Sequence, residues 1–340
     1  MTQLQRIVLA RRPKGDAVAD DFRLEQAEMA EPGPGEVALR TMWLTLDPYM
    51  RGRMNDAPSY APPVAIGAVM TGEVVAEVTA SRDPAFSPGD IVTAGLGWAS
   101  HGIAAARDLR RVDPSVAPIS TALGVLGMPG HTAWVGITEI LQAQQGQTIV
   151  IGAATGAVGS LAGQLAKRRG LTVLGIAGGA EKCAYAVEHL GYDACLDHRS
   201  PDLANELEAL TPQGVDCYFE NVGGKVLEAV LPRMNVAGRI AVCGMVAWYS
   251  AAGYADVMPL PALWRTILVK RLHVRGFLIF DHMQSRETFL AEVAPLVSSG
   301  AIYHRETVAE GLAAAPEAFL AMLKGGNTGK QLVRVAAQAP

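Results

Sequence analysis

Three glycines in one segment are spaced as a phosphate-binding turn requires. They are Gly152, Gly156 and Gly159, and they follow an apolar run at residues 148–151. Glycine lets the backbone approach a phosphate and lets the following helix pack closely against the preceding strand. The free N–H groups at the start of such a helix bind a pyrophosphate. The segment therefore predicts a dinucleotide site, and the alternative is a tight turn that binds no ligand.

The residues after this turn are predicted to form the helix that faces the pyrophosphate. Apolar side chains recur there at the spacing of one helical face: Val158, Leu161, Ala162, Leu165 and Ala166. The basic residues 167–169 suit the C-terminal end of a helix, and Gly170 suits its cap. The first turn would then place Gly156, Ala157 and Val158 against the pyrophosphate.

The second strand, predicted at residues 171–176, indicates which dinucleotide is bound. NAD sites usually carry an acidic residue about 20 residues after the turn, where it binds the ribose hydroxyls. Here that place holds Gly178 and Gly179, with Lys182 one helical turn further on. A small uncharged surface beside a lysine suits a 2′-phosphate and predicts NADPH. The alternatives are a solvated Lys182 and an inward-turned Glu181 that would oppose the phosphate.

The elements that position this turn alternate between strand and helix from about residue 120 onward. Such alternation predicts a parallel sheet with crossover helices. The predicted strands are 148–151, 171–176, 194–196, 215–220, 239–242 and 272–279. About six strands is typical of a Rossmann-type, doubly wound dinucleotide-binding sheet.

The first 120 residues have a different sequence pattern, in which short apolar runs are separated by proline and glycine. Strands are predicted there at 36–41, 69–78 and 90–94. In the C-terminal tail, helices are predicted at 286–294 and 316–324, and a last strand at 330–335. The chain therefore combines an α/β domain with a β-rich one.

Length and composition exclude several other classes of protein. The 340 residues are 50% hydrophobic and 18% charged, which suggests two folded domains. A net charge of −4 argues against nucleic acid as a partner. The apolar stretch 119–137 is broken at residues 129–131, so we predict buried core, no membrane association and a cytoplasmic location. The four cysteines form no closely spaced pair, so no metal site is predicted.

Longer motifs along the whole chain carry a family resemblance. They are LDPYMR (46–51), MPGHTA (128–133), AATGAVGS (153–160), YFENVGG (218–224), RGF (275–277) and GNTGK (326–330). On these motifs the chain resembles the zinc-independent medium-chain dehydrogenases/reductases. Within that family it is similar to the leukotriene B4 12-hydroxydehydrogenase/prostaglandin reductases, the plant alkenal double-bond reductases and bacterial curcumin reductase. The signature of the zinc-dependent relatives is absent at residues 66–73.

The resemblance implies a GroES-like β-rich catalytic domain at 1–121 and 296–340, with a Rossmann NADP-binding domain at 122–295 inserted between. It implies NADPH as the cofactor and a small-molecule α,β-unsaturated aldehyde or ketone as the substrate, whose carbon–carbon double bond is reduced. It also implies a homodimer.

The resemblance also implies roles for individual residues. Lys182 would bind the 2′-phosphate, and Tyr49 and Tyr249 would face the substrate. The ribose and nicotinamide would be surrounded by Asn221, Val222, Cys243, Gly244, Phe277, Leu278 and, from the tail, Asn327.

Three positions depart from the family pattern. Gly179 replaces a serine and His198 replaces a tyrosine, both beside the adenosine phosphate, so His198 or Arg199 is expected to supply the lost contact. Ser250 replaces the asparagine that follows the substrate tyrosine.

The expected reaction is a conjugate reduction. Hydride reaches the β-carbon, and charge on the carbonyl oxygen is stabilised by Tyr249, Tyr49 or the cofactor's ribose hydroxyl. A tyrosine or water then protonates the α-carbon. The alternatives are packing roles for both tyrosines, an NADPH:quinone reductase, and an NADPH-binding protein without turnover. Arg51, Arg53, His101 and His131 are interpreted as structural.

Overall fold

A computed structural model of the protein describes residues 2–249 and 258–336. The chain divides into two compact units, Met1–Gly124 with Glu306–Pro340, and Val125–Arg305. The second unit is thus an insertion into the first. The predicted boundary between residues 295 and 296 would fall inside the helix Arg286–Ser298, which lies wholly in the second unit.

The strands follow one another along both units. In chain order they are β1 (Thr2–Leu9), β2 (Phe22–Met29), β3 (Glu36–Thr45), β4 (Val74–Ser81), β5 (Ile91–Ala94), β6 (His101–Ala105), β7 (Arg110–Arg111), β8 (Thr148–Gly152), β9 (Thr172–Ala177), β10 (Ala194–Asp197), β11 (Val215–Glu220), β12 (Met234–Val242), β13 (His273–Gly276), β14 (Glu306–Glu310) and β15 (Lys330–Arg334).

The α-helices lie mainly in the second unit. They are α1 (Tyr49–Arg53), α2 (Met128–Val135), α3 (Gly159–Arg168), α4 (Ala180–Leu190), α5 (Leu203–Leu210), α6 (Gly224–Val230), α7 (Leu260–Lys270), α8 (Arg286–Ser298) and α9 (Ala315–Leu323). Short 3-10 segments include Val246–Trp248 and Ile279–Ser285, and a π-helical turn, Gly136–Ile140, continues α2. No helix in residues 2–249 and 258–336 is long and apolar enough to cross a bilayer.

The second unit contains a parallel sheet with the strand order β10-β9-β8-β11-β12-β13. The central strand β8 is apolar on both faces because helices cover both sides, and Ile149, Val150 and Ile151 are fully buried. This order confirms the predicted Rossmann-type sheet. The strand predicted at 272–279 is too long, because β13 ends at Gly276 and Ile279–Ser285 is helical.

The first unit contains a sheet with the order β14-β15-β3-β4-β5-β7, and β6 pairs with β3. Its neighbours are antiparallel apart from β14 and β15, and β1 and β2 form a separate two-stranded ribbon. The core includes Phe22 and Trp98, stacked with ring centroids 5.5 Å apart, and Phe319 of α9 edge-on to both. The tail therefore completes the core of the β-rich unit.

Candidate cofactor and active site

The turn between β8 and α3 has the close packing that its glycines predict. A side chain at Gly159 would place its Cβ 2.4 Å from the carbonyl oxygen of Ala153, so only glycine fits at the start of this helix. The Tyr192 hydroxyl donates to the Gly159 carbonyl at 2.8 Å and fixes the turn from below. Gly156, Ala157 and Val158 therefore lie at the entry to a helix held against the strand, where the helix dipole favours an anion.

The helix forms where it was predicted, and Leu161, Ala162, Leu165 and Ala166 are buried. Ser160 and Gln164 are buried as well, so α3 is covered on more than the one apolar face that the sequence predicts. Gly170 comes just past its end with a φ of +76°, and its N–H donates to the Lys167 carbonyl at 2.9 Å. This left-handed glycine ends α3 and directs the chain into β9.

The turn after β9 lies against the loop after β10. A Cβ built on Gly178 would lie 2.9 Å from Nε2 of His198, and one on Gly179 would lie 3.2 Å from a guanidinium nitrogen of Arg199. Gly179 has a φ of +96°, which disfavours any other residue. Glu181 is exposed. Because Gly178 and Gly179 carry no side chains, a space remains that is bordered by the imidazole of His198 and the guanidinium of Arg199.

Lys182, His198 and Arg199 lie within electrostatic reach of one another, and the latter two also lie within reach of the Asp197 carboxylate. Burial lowers the pKa of Lys182, and the nearby charge of Arg199 lowers it further. Burial is also the main cause of the lowered pKa of His198. Asp197 accepts the backbone N–H groups of Arg199 at 3.0 Å and Gly179 at 2.9 Å, which hold its pKa below the usual value. The cationic groups at this turn suit a phosphate.

Glu220, at the end of β11, orders both the loop that follows this strand and the loop that follows β12. Its side-chain oxygen accepts the N–H groups of Val222 at 2.5 Å and Gly223 at 2.9 Å. Its backbone carbonyl accepts the N–H groups of Cys243 at 2.9 Å and Gly244 at 3.1 Å. Burial raises the pKa of Glu220, and the hydrogen bonds to the loop oppose that shift.

Asn221 and Tyr249 contact the backbone around the loops that Glu220 orders. The Asn221 side-chain amide donates to the Gly152 carbonyl at 2.9 Å, which ties this loop to the phosphate-binding turn. A Cβ on Gly244 would lie 3.4 Å from the Tyr249 hydroxyl, so a phenol borders the Gly244 backbone. Burial raises the pKa of the Cys243 thiol to about 12, so this side chain is neutral.

Phe277 and Leu278 follow β13 at the same edge of the sheet. The Phe277 N–H donates to Val242 at 3.4 Å, and its ring meets Phe219 edge-on at 6.4 Å. The segment continues to His282, whose Nδ1 lies 2.7 Å from a carboxylate oxygen of Glu139. The predicted cofactor residues of this unit therefore gather at the carboxyl ends of its parallel strands.

Tyr49 and Asn327 belong to the first unit. Tyr49 begins α1, and its phenol pKa is raised mainly by burial and next by Asp47. Asn327 donates to the Gly329 carbonyl at 2.8 Å, which shapes the turn before β15. Ser250 lies outside the residues that the structure describes. In residues 2–249 and 258–336, no group of three or more His, Cys, Asp or Glu side chains could hold a metal ion.

Comparison with known proteins extends over both units. The family model for the N-terminal domain of oxidoreductase matches residues 5–112, and the model for zinc-binding dehydrogenase matches 157–298. The NADPH-dependent curcumin reductase of Escherichia coli (strain K12) is 47% identical, over 98% of this chain and 97% of that protein. The 2-alkenal reductase (NADP(+)-dependent) of Nicotiana tabacum is 40% identical, over 89% of this chain and 88% of its own.

One solved structure and a further relative also match nearly the whole chain. The crystal structure of CurA from Vibrio vulnificus in complex with NADPH has a TM-score of 0.92 and 42% identity, over 98% of this chain and 99% of that one. Prostaglandin reductase 1 of Bos taurus is 39% identical, over 92% of this chain and 94% of that protein. The chain belongs to the medium-chain dehydrogenase/reductase family, in the zinc-independent group that includes the curcumin, prostaglandin and 2-alkenal reductases.

Proposed function

We propose that the protein is an NADPH-dependent reductase that saturates the carbon–carbon double bond of α,β-unsaturated aldehydes and ketones. The observation that carries this proposal is the position of the Tyr249 hydroxyl beside Gly244, at the strand edge where Glu220 orders both nicotinamide-side loops. The names of the curcumin, prostaglandin and 2-alkenal reductases support the same class of reaction.

We propose that NADPH binds along the predicted cofactor residues, most of which lie in the second unit. Gly156, Ala157 and Val158 would bind the pyrophosphate at the start of α3. Lys182 and His198 would bind the 2′-phosphate over the space that Gly178 leaves. Asn221, Val222, Cys243, Gly244, Phe277 and Leu278 would surround the nicotinamide ribose, with Asn327 added from the tail. When bound, NADPH supplies the hydride for the reduction.

Tyrosine supplies the remaining chemistry in this proposal. Negative charge develops on the carbonyl oxygen as the β-carbon is reduced, and a hydrogen-bond donor to that oxygen stabilises the transition state. The Tyr249 hydroxyl is assigned this role, with Tyr49 as a second neutral donor. Burial raises the pKa of the Tyr49 phenol, which keeps its proton on the oxygen at neutral pH. Protonation of the α-carbon completes the reaction.

A substrate panel tests the proposal. Purified protein is mixed with NADPH and separately with alkenals, enones and quinones, and the nicotinamide absorbance is followed. Oxidation of NADPH by the alkenals and enones is expected. Oxidation by quinones alone would favour a quinone reductase, and NADPH binding without any oxidation would favour a binding protein.

We further propose a homodimer built on the edge strand β13. This strand ends the six-stranded sheet and all of its residues are exposed, so its outer backbone groups can pair with another strand. Leu260, Trp264 and Phe280 are 61–63% exposed, which is unusual for large apolar side chains. A second copy of the chain would cover both features.

Sedimentation velocity tests the dimer. The wild-type protein is expected to sediment as a dimer, and Trp264→Glu is expected to shift it towards monomer. A wild-type monomer at micromolar concentration would contradict the proposal.

The unpaired state of all four cysteines supports a reducing, cytoplasmic location for this assembly.

A further inference from the structure

We propose that Arg199 is the main determinant of NADPH selectivity in this chain. It would bind the 2′-phosphate directly, in the space that Gly178 and Gly179 leave open. This inference rests on the NADPH assignment in the proposed function and decides between His198 and Arg199, the two residues that the sequence offers for this contact.

The position of the guanidinium group is the first support. Its two terminal nitrogens lie 3.6 Å from a Cβ built on Gly178 and 3.2 Å from one built on Gly179. The guanidinium therefore borders the volume that both absent side chains leave open. In an NAD site an acidic side chain stands at this place, and it would pair with the arginine and exclude a phosphate.

The backbone around Arg199 is fixed from two sides. Asp197 is the last residue of β10 and pairs in register with Ala177 of β9. Its carboxylate accepts the N–H groups of both Gly179 and Arg199, so one side chain joins the two loops that border the space. The Asp197 carboxylate is therefore engaged by the two backbone N–H groups, and the backbone of Arg199 is held in a fixed position.

The guanidinium group itself has spare hydrogen-bonding capacity. Among residues 2–249 and 258–336, no side chain or carbonyl accepts a hydrogen bond from it, and the residue is exposed. A planar guanidinium can donate two parallel hydrogen bonds to one phosphate, which a lysine ammonium cannot do. A ribose 2′-hydroxyl offers no such acceptor pair, so the gain is confined to NADPH.

Repulsion between cations adds to this selectivity. The charge of Arg199 disfavours the protonated forms of both Lys182 and His198, which shows that the cationic groups lie within electrostatic reach of one another. A doubly charged phosphate among them removes that repulsion, whereas NADH leaves it in place. Arginine stays protonated at every pH at which lysine or histidine could lose a proton, so Arg199 always carries its positive charge in this site.

Binding measurements without substrate test this role. Dissociation constants for NADPH, NADH and adenosine 2′,5′-bisphosphate are measured for the wild type, Arg199→Gln, Arg199→Lys and Lys182→Gln. Arg168→Gln, which removes an exposed arginine from the end of α3, is the matched control for loss of one charge. Circular dichroism confirms that each variant is folded.

Arg199→Gln is expected to weaken NADPH and the bisphosphate by about 10- to 100-fold, the value of a charge-assisted bidentate contact, while NADH binding stays unchanged. Arg199→Lys should recover part of the loss, and Arg168→Gln should bind all ligands like the wild type. Arg199→Gln with wild-type affinity for NADPH, or with equal losses for NADPH and NADH, would overturn the role of Arg199.

The outcomes also separate this inference from the proposed function. If Lys182→Gln alone loses NADPH selectively, the Arg199 assignment fails and the cofactor assignment stands. If the wild type binds NADH as tightly as NADPH, the cofactor assignment fails, and the Arg199 role fails with it. The reaction on enones is tested separately, because no substrate is present.

Discussion

The ammonium group of Lys330 lies 2.6 Å from a carboxylate oxygen of Asp47, and both side chains are buried. The same ammonium donates to the Leu46 carbonyl at 2.7 Å, and the other Asp47 oxygen accepts the Thr45 hydroxyl at 2.6 Å. The pair joins β15 to the loop before α1, across 283 positions of sequence. Because Tyr49 begins α1 just after Asp47, the ion pair fixes the turn that presents this tyrosine.

Replacing Lys330 by methionine should destabilise the first unit strongly. The substitution leaves the Asp47 carboxylate buried without its cation, which costs about 3–5 kcal/mol. The free energy of unfolding is measured by urea denaturation. Arg23→Met, which removes an exposed partner of Glu25, is the control and should cost less than about 1 kcal/mol.

Adding Asp47→Asn to Lys330→Met should restore part of the lost stability, since no charge is then left buried. Equal stability of Lys330→Met and wild type would show that the buried pair does not hold this turn.

Replacing Glu220 should separate its hydrogen bonding from its charge. Glu220→Ala leaves the Val222 and Gly223 N–H groups without their acceptor, at a cost of about 2–4 kcal/mol of stability. Loosening of the nicotinamide-side loops should lower kcat by roughly 10- to 100-fold. Glu220→Gln keeps an acceptor oxygen and should lose much less. Steady-state kinetics and thermal denaturation of both variants check this, and identical behaviour of the two would contradict the role.

Replacing Tyr249 by phenylalanine should lower kcat on an enone by about 10²-fold, the effect of losing one transition-state hydrogen-bond donor. NADPH affinity should not change, because the ring is retained. Stopped-flow turnover and fluorescence titration measure the two quantities. Tyr303→Phe, an exposed tyrosine of the same unit, is the control. Unaltered kcat for Tyr249→Phe would move the donor role to Tyr49 or to the cofactor's ribose.

The buried His131 should make the protein less stable in mild acid. Its ring stacks on Phe289, and burial lowers its pKa from 6.5 to about 4. The unfolded chain therefore takes up this proton at a higher pH than the folded protein does. The stabilisation is complete above pH 6.5 and is lost as the pH falls towards about 4, a change of about 3 kcal/mol.

Denaturant titrations across this pH range measure the effect. His131→Gln should flatten the decline, whereas His189→Gln, at an exposed histidine, should leave it as in the wild type. A decline of the same size in His131→Gln would assign it to other groups.

The strand, turn and helix of residues 148–168 could be predicted from the sequence because their signals are local. The strand predicted at 148–151 is β8 with one further residue, and 215–220 matches β11. In contrast, β1 and β14 were not predicted, because three residues of β1 are exposed and no residue of β14 is fully buried, which leaves a weak apolar pattern in both. The last strand of the parallel sheet was predicted too long, since the apolar run continues past Gly276 into a helical turn.

The contacts that position the candidate site could not be predicted from the sequence. Glu220 acts by folding its side chain back onto its own loop, and Lys330 acts on a residue far away in sequence. Neither contact produces a recognisable spacing of residues in the sequence. The motifs that contain these residues indicated that they matter, and only the three-dimensional arrangement indicates how.

The position of the transferred hydride in the product shows whether the protein reduces the carbon–carbon double bond of an enone. The protein is given an enone together with NADPH that carries deuterium at the transferable position of nicotinamide C4, and the product is examined by NMR. We expect a saturated ketone with deuterium on the former β-carbon. Deuterium on the carbonyl carbon of an allylic alcohol, or reduction of quinones alone, would contradict it.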